Sequence, residues 1–276
     1  GGREEQQKRQ LEETSLCASC LPPSLPRMDL LKKLEVRARL RTDPNLMEKL
    51  PHMLPMGRIS DAARDRLADA IRDNETIWDD EYNKRANAWL EGRDANMKRF
   101  KPGVQGLHFV FSDHNGGSIV RFPFYYSWSH LLMPVLEEVF AANTSLIDHI
   151  VRLQLARMPP RAEIKIHQDS GRWVLAAHRI HVPILGNKEV KFEICHYSTR
   201  CQKNPELWQL ISVDPGSVFE LNNAFPHQVS NEGPSERIHL LIDYAERPQE
   251  YRRMQVGESR DYTSMDEWWA ELPLGR

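Results

Sequence analysis

From about Met28 to Phe100 the apolar positions of the chain recur at helical spacing, whereas after Lys101-Pro102-Gly103 they gather into short alternating runs. In the first part, Ser60 is placed to cap a helix over DAARDRLADAIRD, because its hydroxyl can accept from the orphan N–H groups of a first turn. Ala63, Leu67, Ala70 and Ile71 return to one face at intervals of three and four, as an amphipathic helix requires. A Pro-rich piece, PHMLPMG at 51 to 57, breaks the pattern upstream, and ETIWDDEYNKRANAWLEG can form a second helix ending at Gly92.

The later runs are rich in β-branched and aromatic residues: LHFVFSD, SIVRFPF, HIVRLQLARM, AEIKIHQD, HRIHVPIL, VKFEICHY, LISV, SVFELN and ERIHLLIDY, separated by Gly, Pro, Asn and Asp. Only WSHLLMPVLEEVFAAN, from Trp128 to Asn143, interrupts them as a helix. Many short strands without βαβ alternation point away from a doubly wound sheet and toward a mainly β fold with flanking helices, a double-sheet, cupin-like jelly roll. The expected organisation is a disordered or partly helical tail over 1–27, a helical N-terminal region over 28–100, a jelly-roll domain over 101–246 and a C-terminal extension over 247–276 that contains Trp268 and Trp269. The tail is expected from its polar run and its Ser/Pro-rich stretch, which offer too little apolar surface to offset the entropy of ordering.

Composition changes this picture little. With 276 residues, 40% hydrophobic, 28% charged and a net charge of -2, the chain has no bulk electrostatic reason to bind nucleic acid or an anionic membrane. No run approaches the roughly 18 apolar residues that span a bilayer, and no secretory core is visible at the N-terminus. The chain starts with Gly, as a processed form or a fragment would. Four cysteines, Cys17, Cys20, Cys195 and Cys201, are too few for a disulfide-stapled scaffold of this length and favour a reducing, cytoplasmic setting. Cys17-x-x-Cys20 lacks a second pair at zinc-ligand spacing.

The chemistry is concentrated in IKIHQDSG. Alternate residues of a strand point to one side, so His167 and Asp169 aim an imidazole and a carboxylate at a common point. His227, in NNAFPHQVSN and just after Pro226, is the best candidate for a third ligand. Two histidines and a carboxylate on one face of an octahedron leave open positions for a chelating 2-oxo acid and dioxygen, the arrangement of non-haem iron(II) oxygenases. Such a triplet is weak by itself in a chain with eleven histidines, where a solvated strand end and a turn residue would look the same.

Two basic features add to it. Arg237 stands in the apolar run ERIHLLIDY, ten residues beyond His227, and its guanidinium fork matches the far carboxylate of 2-oxoglutarate if it faces inward; a surface arginine is the other reading. Arg179 and His181 share a face of HRIHVPI, either as anion-binding groups in the same cavity or as a hydrogen-bonded structural pair. His108 and Arg121 lie on runs that border the same region and read more simply as structural.

Together, RMPPRAEIKIHQD, HRIHVPILGNKEVKF and GSVFELNNAFPHQVSNEGPSERIHLLIDYAE, within the stretch from about Met158 to Asp243, resemble the aspartyl/asparaginyl β-hydroxylase family, which includes bacterial free-proline hydroxylases. The resemblance implies a double-stranded β-helix, iron(II) as cofactor, and 2-oxoglutarate and O2 as co-substrates. It implies His167, Asp169 and His227 as metal ligands and Arg179, His181 and Arg237 as 2-oxoglutarate contacts. The animal enzyme of this family lacks the carboxylate of the HxD position, so Asp169 places the chain nearer the bacterial branch. That enzyme also has a serine where this chain has Ala156, so one hydroxyl contact to 2-oxoglutarate is missing or supplied by another residue. The expected reaction is hydroxylation of a C–H of an amino acid or of an Asp/Asn residue in a peptide. The rival readings are a cupin-like metal enzyme without 2-oxoglutarate, which would have no use for Arg237, and a non-catalytic jelly-roll binding module, which would bind no iron(II).

Overall fold

A computed structural model describes residues 51–79, 104–112, 118–169, 177–195, 204–223, 225–245 and 252–253. Among these, twelve strands form two sheets. In chain order they are β1 (Met53–Arg58), β2 (Gln105–Ser112), β3 (Ser118–Arg121), β4 (Ile150–Met158), β5 (Glu163–His167), β6 (Ala177–Leu185), β7 (Val190–Cys195), β8 (Trp208–Ile211), β9 (Ser217–Leu221), β10 (His227–Asn231), β11 (Arg237–Ala245) and β12 (Arg252–Arg253). The larger sheet runs β1-β9-β6-β11-β4-β2-β3-β12, and the smaller runs β5-β10-β7-β8. Neighbouring strands are antiparallel except β12 with β3. The fold is a double-stranded β-helix, as the alternating runs predicted.

Two α-helices cover one face of the larger sheet. Helix α1 (Asp61–Asp73) begins where the cap was expected: the Ser60 hydroxyl accepts from Ala63 N–H at 3.2 Å, and Ala63, Leu67, Ala68 and Ile71 are buried. Helix α2 (Pro123–Val139) starts five residues earlier than the apolar pattern suggested. Pro123 occupies the first turn, where its missing N–H costs nothing, so the end of the SIVRFPF run turns into helix. Glu138 of α2 accepts from both the backbone and the hydroxyl of Ser60, tying the two helices together.

Period-two alternation sorts the larger sheet into two faces. Ile180, Val182 and Ile184 of β6, Ile238, Leu240 and Ile242 of β11, and Val151, Leu153 and Leu155 of β4 join α1 and α2 in the main apolar core. The opposite face turns toward the smaller sheet, where Met158, Phe192, Ile194, Phe219, Leu221 and Val229 make a second cluster. The functional residues share that second, inter-sheet layer.

Three elements depart from the sequence reading. The Pro-rich piece is strand β1, paired with β9, and it tolerates Pro55 because it is an edge strand. Gly57 there has φ of 104°, and the register shifts between Pro55 and Gly57. His227 is the first residue of strand β10 rather than a turn residue. Of the segment expected as a second N-terminal helix, a 3-10 turn over Glu75–Trp78 is described and the rest lies outside the described residues. The tail with Cys17 and Cys20 and the Trp268-Trp269 extension also lie outside them. Cys195, at the end of β7, is disulfide-bonded, a bridge that the low cysteine count did not predict.

Candidate metal centre

His167 ends β5 and His227 begins β10, and these residues are direct register partners across the smaller sheet. Their rings lie 4.2 Å apart between centroids. Asp169 follows two residues after His167 and brings its Oδ1 to 3.6 Å from His167 Nε2 and 3.9 Å from His227 Nε2. One ligand atom from each of the three residues lies within 4.8 Å of the others, a spacing that a single metal ion can span.

The protons are set for ligation. His167 Nδ1 donates to the Lys165 carbonyl at 2.8 Å, and His227 Nδ1 donates to the Phe225 carbonyl at 3.0 Å. Each ring therefore keeps the lone pair of Nε2 on the side of Asp169, which is how backbone carbonyls orient metal-binding imidazoles. Burial, with the charge of His167 next in weight, pushes the His227 pKa down to about 4, so the ring is neutral at physiological pH. Burial works to raise the Asp169 carboxyl, but the Arg179 guanidinium beside it holds it well below the usual carboxylate range. Two imidazoles that present Nε2 and one carboxylate form a donor set suited to a divalent first-row metal.

Arg179 faces inward and is already committed. It donates to Asp169 Oδ2 through Nη1, and its Nε and Nη2 hold both oxygens of Asp243 at 2.8 and 3.0 Å. Asp243 is a register partner of Arg179, so β11 anchors the cation that in turn holds Asp169. Burial would lower the Arg179 pKa, but Asp169 and Asp243 together raise it above its ordinary value.

The other two basic candidates have a different environment. His181 is buried, stacked on Phe219 with centroids 5.1 Å apart, and neither ring nitrogen makes a hydrogen bond. Burial first, and then the charges of Arg179 and Arg237, keep its pKa well below the ordinary histidine value. Arg237 is 3% exposed and has no acidic partner among the described residues; its Nη2 meets His239 Nδ1 at 2.7 Å and its Nε is unpaired. Burial lowers its pKa to about 9. A buried guanidinium without a counter-charge is costly, and a carboxylate ligand is the natural compensation.

His108, opposite Gln154 on β4, is buried against Phe111 and Phe122 in a separate small cluster, and burial with the nearby Arg152 charge lowers its pKa to about 3. Arg121 does not join the site; it is exposed, 5.0 Å over the Tyr125 ring. Asp243 and His239 were not singled out from the sequence. The signal was available, since Arg237, His239, Leu241 and Asp243 share one face of β11 by the same alternation that brought out His167 and Asp169.

Residues 125–248 match the family model described as aspartyl/asparaginyl beta-hydroxylase, a segment that runs from α2 through β11 and contains every residue of the centre. This segment, a little under half of the chain, is similar to the aspartyl/asparaginyl β-hydroxylase family. The chain is accordingly an oxygenase of the iron(II)/2-oxoglutarate class, with iron(II), 2-oxoglutarate and O2 as its cofactor and co-substrates. No curated protein matches the chain significantly. Among solved structures, the hydroxylase resembles a 2OG-Fe(II) oxygenase family oxidoreductase from Burkholderia pseudomallei at 16% identity and a TM-score of 0.41, covering 81% of this chain and 95% of that one. It resembles AviO1 from Streptomyces viridochromogenes at 16% identity and a TM-score of 0.43, covering 80% and 96%. A prolyl-4-hydroxylase from Pseudomonas putida aligns at 11% identity and a TM-score of 0.36, covering 77% and 98%. These superpositions are loose, and the family match carries the assignment. Among the described residues no helix is long and apolar enough to cross a membrane.

Proposed function

We propose that this oxygenase hydroxylates a C–H of an amino acid or of an Asp/Asn residue in a peptide, with iron(II) held by His167, Asp169 and His227 and the far carboxylate of 2-oxoglutarate held by Arg237. The observation that carries this reading is the buried guanidinium of Arg237, without an acidic partner among the described residues, in the same inter-sheet layer as a His/Asp/His cluster. Iron(II) with bound 2-oxoglutarate would supply the oxidant from O2, releasing carbon dioxide and leaving succinate. The amino acid or Asp/Asn substrate is favoured by the description of the matching family.

The chain's own residues have separable tasks in this reading. The Lys165 and Phe225 carbonyls hold the two imidazoles in the ligating tautomer. Arg179, anchored by Asp243, keeps Asp169 ionised and turned toward the histidines, so we assign it to positioning the carboxylate rather than to gripping the 2-oxo acid. His181, with two unpaired nitrogens beside Arg179, is left to donate to the metal-side end of the 2-oxo acid. Phe192, Phe219 and Phe225 keep water from the layer.

The test is anaerobic addition of iron(II) and 2-oxoglutarate, then O2, with succinate measured by mass spectrometry. Succinate above the level of Asp169→Ala and His227→Ala controls is the expected result, and its absence would refute the enzyme reading. Free amino acids and Asp- or Asn-containing peptides, screened for a mass gain of one oxygen, then decide the substrate.

A further inference from the structure

On the two central strands of the larger sheet, β11 and β4, one face is sealed and the other is open. Leu153 and Leu155 of β4 and Leu240 and Ile242 of β11, under the helices, have no exposed surface. On the opposite face Arg152, Gln154 and Ala156 of β4 and Leu241 of β11 are half-buried, although strands flank them on both sides. Their exposure comes through the space between the sheets, a cleft floored by these four residues. The cleft adjoins the metal centre. Arg152 is the Cα partner of Asp243, which pairs in turn with Arg179, the cation bonded to Asp169. Gln154 is the partner of Leu241, which pairs with His181.

Gln154 presents an unused donor to this cleft. Arg152 Nη2 donates to Gln154 Oε1 at 3.3 Å, and because a guanidinium can only donate, the amide is fixed with its oxygen toward Arg152. His108, the Cα partner of Gln154 on β2, bonds the same side chain in a way that favours the protonated imidazole, so Gln154 accepts there too. Both donors lie on the oxygen's side, along β4 and toward β2. The Nε2 arm is left on the side of β11, where Leu241 and Ala156 offer no side-chain acceptor, and it makes no hydrogen bond among the described residues. Arg152 Cζ lies 4.5 Å from the centroid of the Phe111 ring, which holds the positive charge beside the amide.

We propose that Gln154 binds the molecule being hydroxylated, its Nε2 donating to a carboxylate oxygen of that substrate while the C–H to be attacked lies back across Leu241 toward Asp169. This rests on the hydroxylase reading given above. An amide N–H alone would serve a neutral carbonyl equally well, and the Arg152 charge beside it selects the anion. Two strand spacings separate β4 from β6, about 10 Å. That span suits a compact acid, a free amino acid or an aspartyl side chain, and the site prefers the acid to its amide.

The probes are the free amino acids, or Asp-containing peptides, that gain one oxygen in the screen above, each paired with the amide of the same carboxyl group. They are titrated calorimetrically into the full chain loaded anaerobically with iron(II) and 2-oxoglutarate. Gln154→Leu fills the space without a donor and should weaken the acid about tenfold or more, the loss of one hydrogen bond to a charged group. Binding of 2-oxoglutarate should stay within about twofold, because it does not use the bond. Gln154→Glu keeps an oxygen for Arg152 but meets the acid with a like charge, while an amide can donate to it. The preference for acid over amide should therefore fall by about a hundredfold or more, and this variant carries the test if the leucine variant does not fold. In turnover by the leucine variant the KM for the acid should rise by a larger factor than kcat falls. A Gln154 that only supports the sheet would move acid and amide alike. Unchanged acid binding in both variants, equal losses for acid and amide, a loss of 2-oxoglutarate affinity in place of the acid's, or a preference of the unsubstituted chain for the amide would overturn the assignment. If the unsubstituted chain adds oxygen to no amino acid and no Asp- or Asn-containing peptide, the reading beneath it fails instead.

Discussion

The inter-sheet layer contains two groups of buried polar residues that obey opposite rules. Around Asp169 every charge has a partner: Arg179 spans Asp169 and Asp243, and the imidazoles of His167 and His227 are held by backbone carbonyls. Around Arg237 the reverse holds, with a guanidinium that meets no acid among the described residues and unpaired nitrogens on His181 and His239. The first group is a finished internal structure that holds its geometry before anything binds. The second stays incomplete until an anion enters, so the folded chain carries there a cost that a ligand removes.

The comparison breaks most directly at Arg179. Replacing it with alanine leaves Asp169 and Asp243 buried without a cation, and equilibrium urea unfolding should show a loss of about 3–5 kcal/mol. A loss under about 1 kcal/mol would mean that the pair is not the scaffold described here.

Acid tests both groups at once. The folded pKa values of His227 and His108, about 4 and about 3, lie below the ordinary 6.5, so the unfolded chain binds more protons and stability falls as pH drops below 6.5. Each should cost roughly 2 kcal/mol by pH 5, with His181 and His239 acting in the same direction. Urea midpoints of metal-free protein between pH 7 and pH 5 measure this, and a flat profile would contradict neutral buried rings.

Arg237→Met should move stability the other way. Removing an uncompensated buried charge is expected to leave the metal-free chain equally stable or up to about 1 kcal/mol more so. Its 2-oxoglutarate binding should be lost in the same sample. A strong destabilisation would show that Arg237 has a structural partner.

Asp243→Asn tests the anchor of Arg179. The amide keeps the shape and one acceptor for Arg179, so about 1–2 kcal/mol should be lost. Iron(II) affinity should weaken along with it, because Asp169 is then held by a less firmly anchored cation. Thermal unfolding and anaerobic iron titration check the two halves of that statement.

Legibility from sequence followed periodicity closely. The α1 cap at Ser60, the helix over Leu132 and Leu136, and most strands were visible because each buries a face whose apolar residues recur at a fixed interval. β1 was hidden by Pro55 and by Pro51 just before it, and β10 by its polar HQVSN composition, since edge position and pairing with β5 and β7 override local propensity. At the site, spacing alone brought out His167 with Asp169 and Arg179 with His181. It could not tell which cation was free, because Asp243 becomes a partner of Arg179 only once β6 and β11 pair. His239 escaped attention for a related reason: an imidazole in an apolar run reads as packing until its neighbour is known to be a donor.

The His167–His227 register pair has a consequence for how the centre is opened and closed. β5 is an edge strand of the smaller sheet, it meets β10 through three register pairs with an irregularity between His227 and Val229, and its residues are half-buried or exposed. It is thus lightly held by protein, although it carries one ligand and precedes another. Iron would act as a clasp on a loose hem, and amide hydrogen exchange along Glu163–His167 should slow on metal loading far more than in β11, which is flanked by strands on both sides.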